Sequence, residues 1–306
     1  MYLTGFADEA SDSIDGQIQA VKSLGWRNIE SRNISGKQIY NLPDAEFYTV
    51  VEKLKDSGIQ INCIGSAIAN WANQITEPFE KTVEETKRAI HSAKILKTKL
   101  IRIMSYAVLK DKEPDDQMEQ ERFRRLREIK KMFDDAGILP VHENCMNYGG
   151  MSWKHTLKLL DNVPGLRLVF DTGNCVCSDD RSKPKPYPKQ SSWEFYKNVK
   201  EHISYIHIKD AVWDKQKQEP TFTYPAEGQA EICRIIKDFL ADGYDGGISI
   251  EPHLMVIHHE NRTGETPEEL RASSYIKYGR DMEKILKKIK AELQPAEMKQ
   301  TIKTKA

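Results

Sequence analysis

Four stretches of the sequence carry residues that can hold a metal ion, and each stands where an apolar run stops. HEN contains Glu143, FDTGN contains Asp171, IHIKD contains His207 and ISIEPH contains Glu251. Side chains alternate along a strand, so Glu143 shares a face with Val141, Asp171 with Val169, His207 with Tyr205 and Glu251 with Ser249. Consecutive strands can therefore aim one ligand each at a common centre. Three carboxylates meeting without a countercharge would repel one another and rise in pKa, whereas a divalent cation resolves the conflict. Carboxylates with one imidazole and no thiolate set suit Mn²⁺, Mg²⁺, Co²⁺ or Zn²⁺, and the pattern does not choose among them.

Further candidates lie around this set. Lys209 and His253 continue the faces of His207 and Glu251 one step toward the loops. Lys209 is expected either to hold a substrate oxygen or to pair with Asp210. His142 faces away from Glu143 and is read as packing or as support for a ligand. Glu9, Arg32, Trp71 and Tyr106 fall at or beyond the ends of earlier strands, where substrate contact competes with capping and packing. The segment 178–190, SDDRSKPKPYPKQ, cannot be regular structure because its prolines are spaced through it. Its Arg181, Lys183 and Lys185 are expected in a solvated or subunit-contacting loop rather than a lid or phosphate site.

These residues need elements to place them. Strand patterns at 2–7, 27–31, 60–68, 100–106, 139–144, 166–174, 203–210 and 246–253 alternate with helical patterns at 11–24, 43–57, 78–96, 114–136, 152–160, 192–201, 232–240 and 267–293. Strict alternation predicts parallel strands with right-handed crossovers. Eight repeats predict an α/β fold, a closed (β/α)8 TIM barrel in a single domain over 1–294, with a polar, frayed tail at 295–306. A doubly wound open sheet is the competitor, but no Gly-rich phosphate turn follows the first strand. In a barrel the site lies at the C-terminal strand ends, where all four ligands stand. The basic run ERFRRLREIKK carries Phe123, Leu126, Ile129 and Met132 at helical spacing, which predicts a solvated outer helix rather than a nucleic-acid surface.

Composition narrows the partners. The chain has 306 residues, with 46 Lys plus Arg against 46 Asp plus Glu, so no net charge draws it to nucleic acid or an anionic membrane. No stretch approaches the roughly 20 apolar residues of a membrane span. Met1 leads straight into a strand pattern, so no signal peptide is expected. The five cysteines, Cys63, Cys145, Cys175, Cys177 and Cys233, lack CxxC spacing and predict reduced thiols in a cytoplasmic protein.

In this order, HEN, FDTGN, IHIKD, AEG (226–228) and ISIEPH resemble the sugar phosphate isomerase/epimerase family with a xylose-isomerase-like TIM barrel, over nearly the whole chain. The resemblance implies one divalent metal ion held by Glu143, Asp171, His207 and Glu251, with the two glutamates as catalytic groups on opposite sides of a bound sugar. Asn174, Lys209, His253, Trp71 and Glu9 are then the expected substrate-binding residues, and no other cofactor is implied. The implied function is isomerisation or epimerisation of a keto-sugar by enediolate proton transfer, with a lyase or dehydratase on a keto-sugar derivative as the alternative. More remote are a non-catalytic sugar-binding relative and a nuclease like endonuclease IV, which needs more histidines and a basic surface. Two positions depart from the family pattern: Asn174 and Cys145 stand where relatives often carry histidine. The lack of a Gly-rich phosphate cradle favours an unphosphorylated sugar. Barrels of this family commonly pair, so the resemblance allows a homodimer or higher homo-oligomer.

Overall fold

Short β-branched runs bounded by turn residues become strands, and amphipathic segments with their own start and stop signals become helices. The computed structural model describes residues 1–255 and 268–293. In chain order the main elements are β1 (Tyr2–Gly5), α1 (Ile14–Leu24), β2 (Asn28–Ser31), α2 (Asp44–Ser57), β3 (Gln60–Gly65), α3 (Phe79–Leu96), β4 (Leu100–Ile103), α4 (Glu119–Asp135) and β5 (Leu139–Glu143). They continue with α5 (Trp153–Asn162), β6 (Arg167–Asp171), α6 (Ser192–Val199), β7 (Ile203–Ile208), α7 (Ile232–Ala241), β8 (Gly247–Ile250) and α8 (Glu268–Leu293). Ser13 caps α1 by accepting from the Gly16 N–H, and Gly25 ends it at φ 75°, a left-handed turn that costs glycine little.

The eight strands are parallel and run β1-β8-β7-β6-β5-β4-β3-β2 around a nearly closed barrel, as the alternation predicts. At the seam between β1 and β2 the ladder is reduced to a lone bridge, Phe6 to Glu30. Asp171 lies opposite His207, and His207 opposite Ser249.

Alternation along the strands sorts side chains into two layers. Cys63, Val141, Val169 and Tyr205 fill the barrel interior, while Phe170, Ile206, Ile208 and Ile250 pack outward beneath the helices. Directly above the inner layer the inward residues turn charged, which places the charge at the C-terminal mouth.

Several expectations need correction. Except for β2, which ends at Ser31 as expected, the strands stop one to three residues short of their expected C-terminal ends, where the chain turns into the loops. The helix expected from 114 starts at Glu119, because the Gln117 side chain bonds the Leu109 N–H and carbonyl and holds a turn ahead of it. Its basic run is not wholly solvated: Arg122 is fully buried and Arg125 nearly so. Two hairpins, Asn33–Ile34 with Lys37–Gln38 and Ala211–Asp214 with Glu219–Phe222, lie in segments read as loop, and Asn174–Cys177 forms a single helical turn. The 178–190 loop is irregular as expected but tied at its base by an Asp179–Lys189 bridge. The 295–306 tail and Pro267 lie outside the described residues. All five cysteines are free thiols, and no described helix is long and apolar enough to cross a membrane.

Candidate metal centre and active site

The ends of β5, β6, β7 and β8 are held in register by side chains that continue the ladder after the strands stop. Asn144 accepts from the Asp171 N–H at 2.7 Å and donates to the Asp171 carbonyl at 2.9 Å, imitating a backbone partner and fixing Asp171 against Glu143. The Thr172 hydroxyl does the same for β7, donating to the Lys209 carbonyl at 2.7 Å and accepting from its N–H at 3.1 Å. Gly173 must follow, since a Cβ there would stand 2.8 Å from the Lys209 carbonyl oxygen. Asn174 closes the turn: its N–H donates to Asp171 Oδ1 at 2.7 Å and its side chain to Glu143 Oε1 at 3.2 Å.

This scaffold brings Glu143, Asp171, His207 and Glu251 together, with one ligand atom from each lying within 4.8 Å of the others. All four are buried. His207 Nε2 lies 3.1 Å from both carboxylate oxygens of Glu30, so its Nδ1 faces Glu143 Oε1 at 3.4 Å and Glu251 Oε2 at 3.9 Å. Such a carboxylate behind an imidazole sets the tautomer of a metal-binding histidine. Burial favours neutral His207, but Glu30 and Glu143 outweigh it and raise its pKa to about 10.

Cations surround the carboxylates. Arg32 reaches Asp8 at 2.9 Å, Glu9 at 3.2 Å and Glu251 at 3.0 Å. Arg102 meets Glu143 at 3.2 Å, and Lys209 bridges Asp171 at 3.1 Å and Glu251 at 3.0 Å. The two guanidinium groups lie 4.5 and 5.2 Å from the ring centre of Phe6. Burial alone would raise both glutamates, but Arg102 and His207 hold Glu143 at about 2, and Lys209 and Arg32 hold Glu251 well below the usual range. Asp171 goes the other way: burial, Glu251 and Glu143 prevail over Lys209 and push it up to about 7.

The donor set fits a divalent cation on three grounds. Glu143 Oε2, Asp171 Oδ2 and His207 Nδ1 are buried atoms that accept or donate no well-formed hydrogen bond and have only the charged contacts to Arg102, Lys209, Glu143 and Glu251 given above. Six buried carboxylates, of Asp8, Glu9, Glu30, Glu143, Asp171 and Glu251, stand against three buried cations, Arg32, Arg102 and Lys209, and the imidazoles of His207 and His253. Asp171 is pushed up to about 7 by its burial and then by Glu251 and Glu143, effects that a cation bound among them would oppose. Oxygen-rich ligation with one nitrogen and no thiolate suits a hard or borderline ion.

The other expected residues fall as follows. A cavity of about 380 Å³ above the centre is lined by Arg32, Trp71, Asn174, Lys209 and His253 along with Glu143 and Glu251. Glu9 lies behind His253, whose Nδ1 meets it at 2.9 Å and whose N–H donates to it at 2.6 Å. Burial and then Lys209 lower His253 to about 3, so it is neutral. The alternative partner for Lys209, Asp210, is wrong: Asp210 instead accepts from the N–H groups of Ala211, Gly228 and Ala230. That also explains AEG, whose glycine N–H is one of those donors. Tyr106 is buried away from the mouth and donates to Thr82. His142 is buried between Ser105 and Asn147, and burial lowers it to about 4. Arg181, Lys183 and Lys185 line an outer cleft, and Arg181 also lines a second cavity beside the site.

Three participants escape the sequence reading: Glu30, Arg102 and Asp8. The first two did leave a signal, since each is a charge inside a four-residue strand, where burial without a partner is costly.

The sequence matches no curated protein. The fold is similar to that of a D-tagatose 3-epimerase-like protein, at 14% identity and TM-score 0.67, covering 96% of this chain and 100% of that one. It is also similar to a xylose isomerase-like TIM barrel protein from Mycobacterium smegmatis in complex with magnesium, at 18% identity and TM-score 0.63, covering 93% and 97%. A third is the probable 3-DHS dehydratase AsbF from Bacillus anthracis, at 18% identity and TM-score 0.63, covering 90% and 97%. Such identities speak for the fold. The profile of a protein family described as xylose isomerase-like TIM barrel matches residues 18–274, and with the strand-end ligands described above the chain belongs to that family.

Proposed function

We propose that the chain is a divalent-metal-dependent isomerase or epimerase of a keto-sugar that works by proton transfer between Glu143 and Glu251. The observation that carries this reading is the convergence of four buried ligands beneath a sugar-sized cavity. Glu143, Asp171, His207 and Glu251 would hold the ion. A bound divalent ion supplies charge stabilisation to the oxygen that turns negative as a carbonyl compound enolises.

The chain's own groups do the rest. Glu143 and Glu251 reach the cavity from β5 and β8, with two strands between them. Both are ionised at neutral pH and able to accept a proton from carbon. If one removes the proton next to the carbonyl and the other, having taken up a proton from solvent, gives it to the same carbon from the far side, the first glutamate loses its proton to solvent and the sugar is epimerised. Return at the neighbouring carbon isomerises it. Arg32 and Lys209 hold Glu251, and Arg102 and Asn174 hold Glu143, so each base keeps its direction.

Elimination from the same enediolate is the second reading. Lys209 favours it, because its ammonium lines the cavity and can protonate a departing hydroxyl, and the similarity to a probable dehydratase is in keeping with it.

The test is to incubate the metal-loaded protein with keto-sugars in D₂O and follow deuterium at the carbon next to the carbonyl. Exchange is expected without net loss of water. Glu143→Gln and Glu251→Gln should each slow it by roughly 10²–10⁴-fold, with bound metal measured alongside. Elimination products would favour the second reading, and no exchange across a broad panel would overturn both.

A further inference from the structure

The chamber over the metal centre is not a closed end. It adjoins a larger cavity of about 620 Å³, and Trp71, Cys145, Met146, Cys177 and Ser178 line both. Ligand sites of roughly 300–1,000 Å³ are usual, so the 380 Å³ chamber is at the small end and suits one sugar ring. The adjoining space leads away from the four metal ligands between the loops after β3, β4, β5 and β6, and none of those ligands lines it.

Two features of this space are specific. Met146 is 46% exposed although its neighbours Cys145 and Asn147 are buried, so the loop after β5 turns a large apolar side chain outward at the junction. One exposed methionine is ordinary on a surface. Here, however, it lines the cavity together with Trp71, Val108, Leu109 and Met151, of which Met151 is buried and the other three half-buried. Charged side chains line the same cavity, those of Lys110, Asp111, Asp179, Arg181 and Lys189. A wholly apolar occupant would bury those charges against it, and a phosphate would meet apolar side chains and the carboxylates of Asp111 and Asp179. A pyranose ring has both surfaces, C–H faces that lie on aromatic and thioether side chains and equatorial hydroxyls that bond to charged groups.

The geometry points to a two-ring substrate: a keto-sugar whose reacting ring occupies the chamber while its anomeric oxygen carries a second sugar ring into the adjoining cavity. This rests on the keto-sugar reading above and names its substrate class. A glycosidic bond leaves no free carbonyl at the anomeric carbon, so the ketone that enolises lies on another carbon of the reacting ring.

Calorimetric titration of the metal-loaded protein with two ring ketones tests this, using the methyl glycoside of 3-keto-glucose and 3-keto-cellobiose oxidised on its non-reducing ring. They differ in the second ring alone. The disaccharide is expected to bind about tenfold or more tighter. Leu109→Asp and Met146→Asp, made separately, should each reduce that preference to about twofold or less. Met146 is exposed, so its variant is not expected to disturb folding. Equal affinity for the two ketones overturns the two-ring site, whether or not either exchanges deuterium. A tighter disaccharide without exchange upholds the site and overturns the proton-transfer chemistry, and no binding of either at millimolar concentration overturns both.

Discussion

Glu30 decides which nitrogen of His207 is free to bind. Its two oxygens take up Nε2, and Tyr205 donates to one of them at 2.9 Å, so the carboxylate is fixed before any ion arrives. Glu30→Gln keeps the shape but loses the charge that orients the ring. Metal affinity should fall by roughly 10–100-fold, read by competition with a fluorescent chelator. Acid should act at the same centre. Asp171 at about 7 and His207 at about 10 both hold protons that an ion must displace. Affinity is therefore expected to rise from pH 6 to pH 8, with protons released on binding that calorimetry in buffers of different ionisation enthalpy will count. Affinity independent of pH would remove Asp171 and His207 from the ligand set. The four converging residues were legible in the sequence because each follows an apolar run. Arg102 and Glu30 showed only as charges within strands, a signal that names no role until the partner strand is known.

At the scale of elements, positions of strands and helices could be read from period and stop signals, and what joins them could not. Asn144 and Thr172 act as substitute ladder rungs, a role that their residue types share with ordinary turn formers. Arg122 is a similar case on α4. The helical spacing of its apolar neighbours is clear, but the chain reaches over this arginine, whose guanidinium donates to the carbonyls of Ser105, Ala107 and Gln117 at 2.6, 2.7 and 2.5 Å. Burial lowers it to about 10, so it stays charged at neutral pH. Replacing Arg122 by Met should leave those carbonyls unpaired and cost about 3–5 kcal/mol in denaturant unfolding. Arg124→Met on the same helix, where the partners Glu121 and Glu128 are more exposed, should cost less than about 1 kcal/mol. Equal costs would mean that the buried guanidinium does not hold the loop.

At the scale of the molecule, eight strand and helix patterns in alternation were enough to predict a closed barrel. The hairpins within its loops were invisible because pairs of two to four residues are too short to show a period. The seam could not be foreseen either, since it depends on how far β1 and β2 run beside each other. Its lone backbone bridge is reinforced by side chains from the active-site mouth and the barrel interior. Arg32 ties the end of β2 to Asp8 and Glu251, Glu30 on β2 reaches His207 on β7, and Thr4 on β1 donates to Asn62 on β3 at 2.7 Å. Groups that hold the proposed ligands thus also close the cylinder, so on that proposal occupancy and cohesion are linked. Ion at about 100 times its dissociation constant should add ~2.7 kcal/mol to unfolding and raise the melting temperature by several degrees. An unlabelled melting curve then becomes a search instrument: sugars can be ranked by how far they delay the opening of the seam, before any product has been identified.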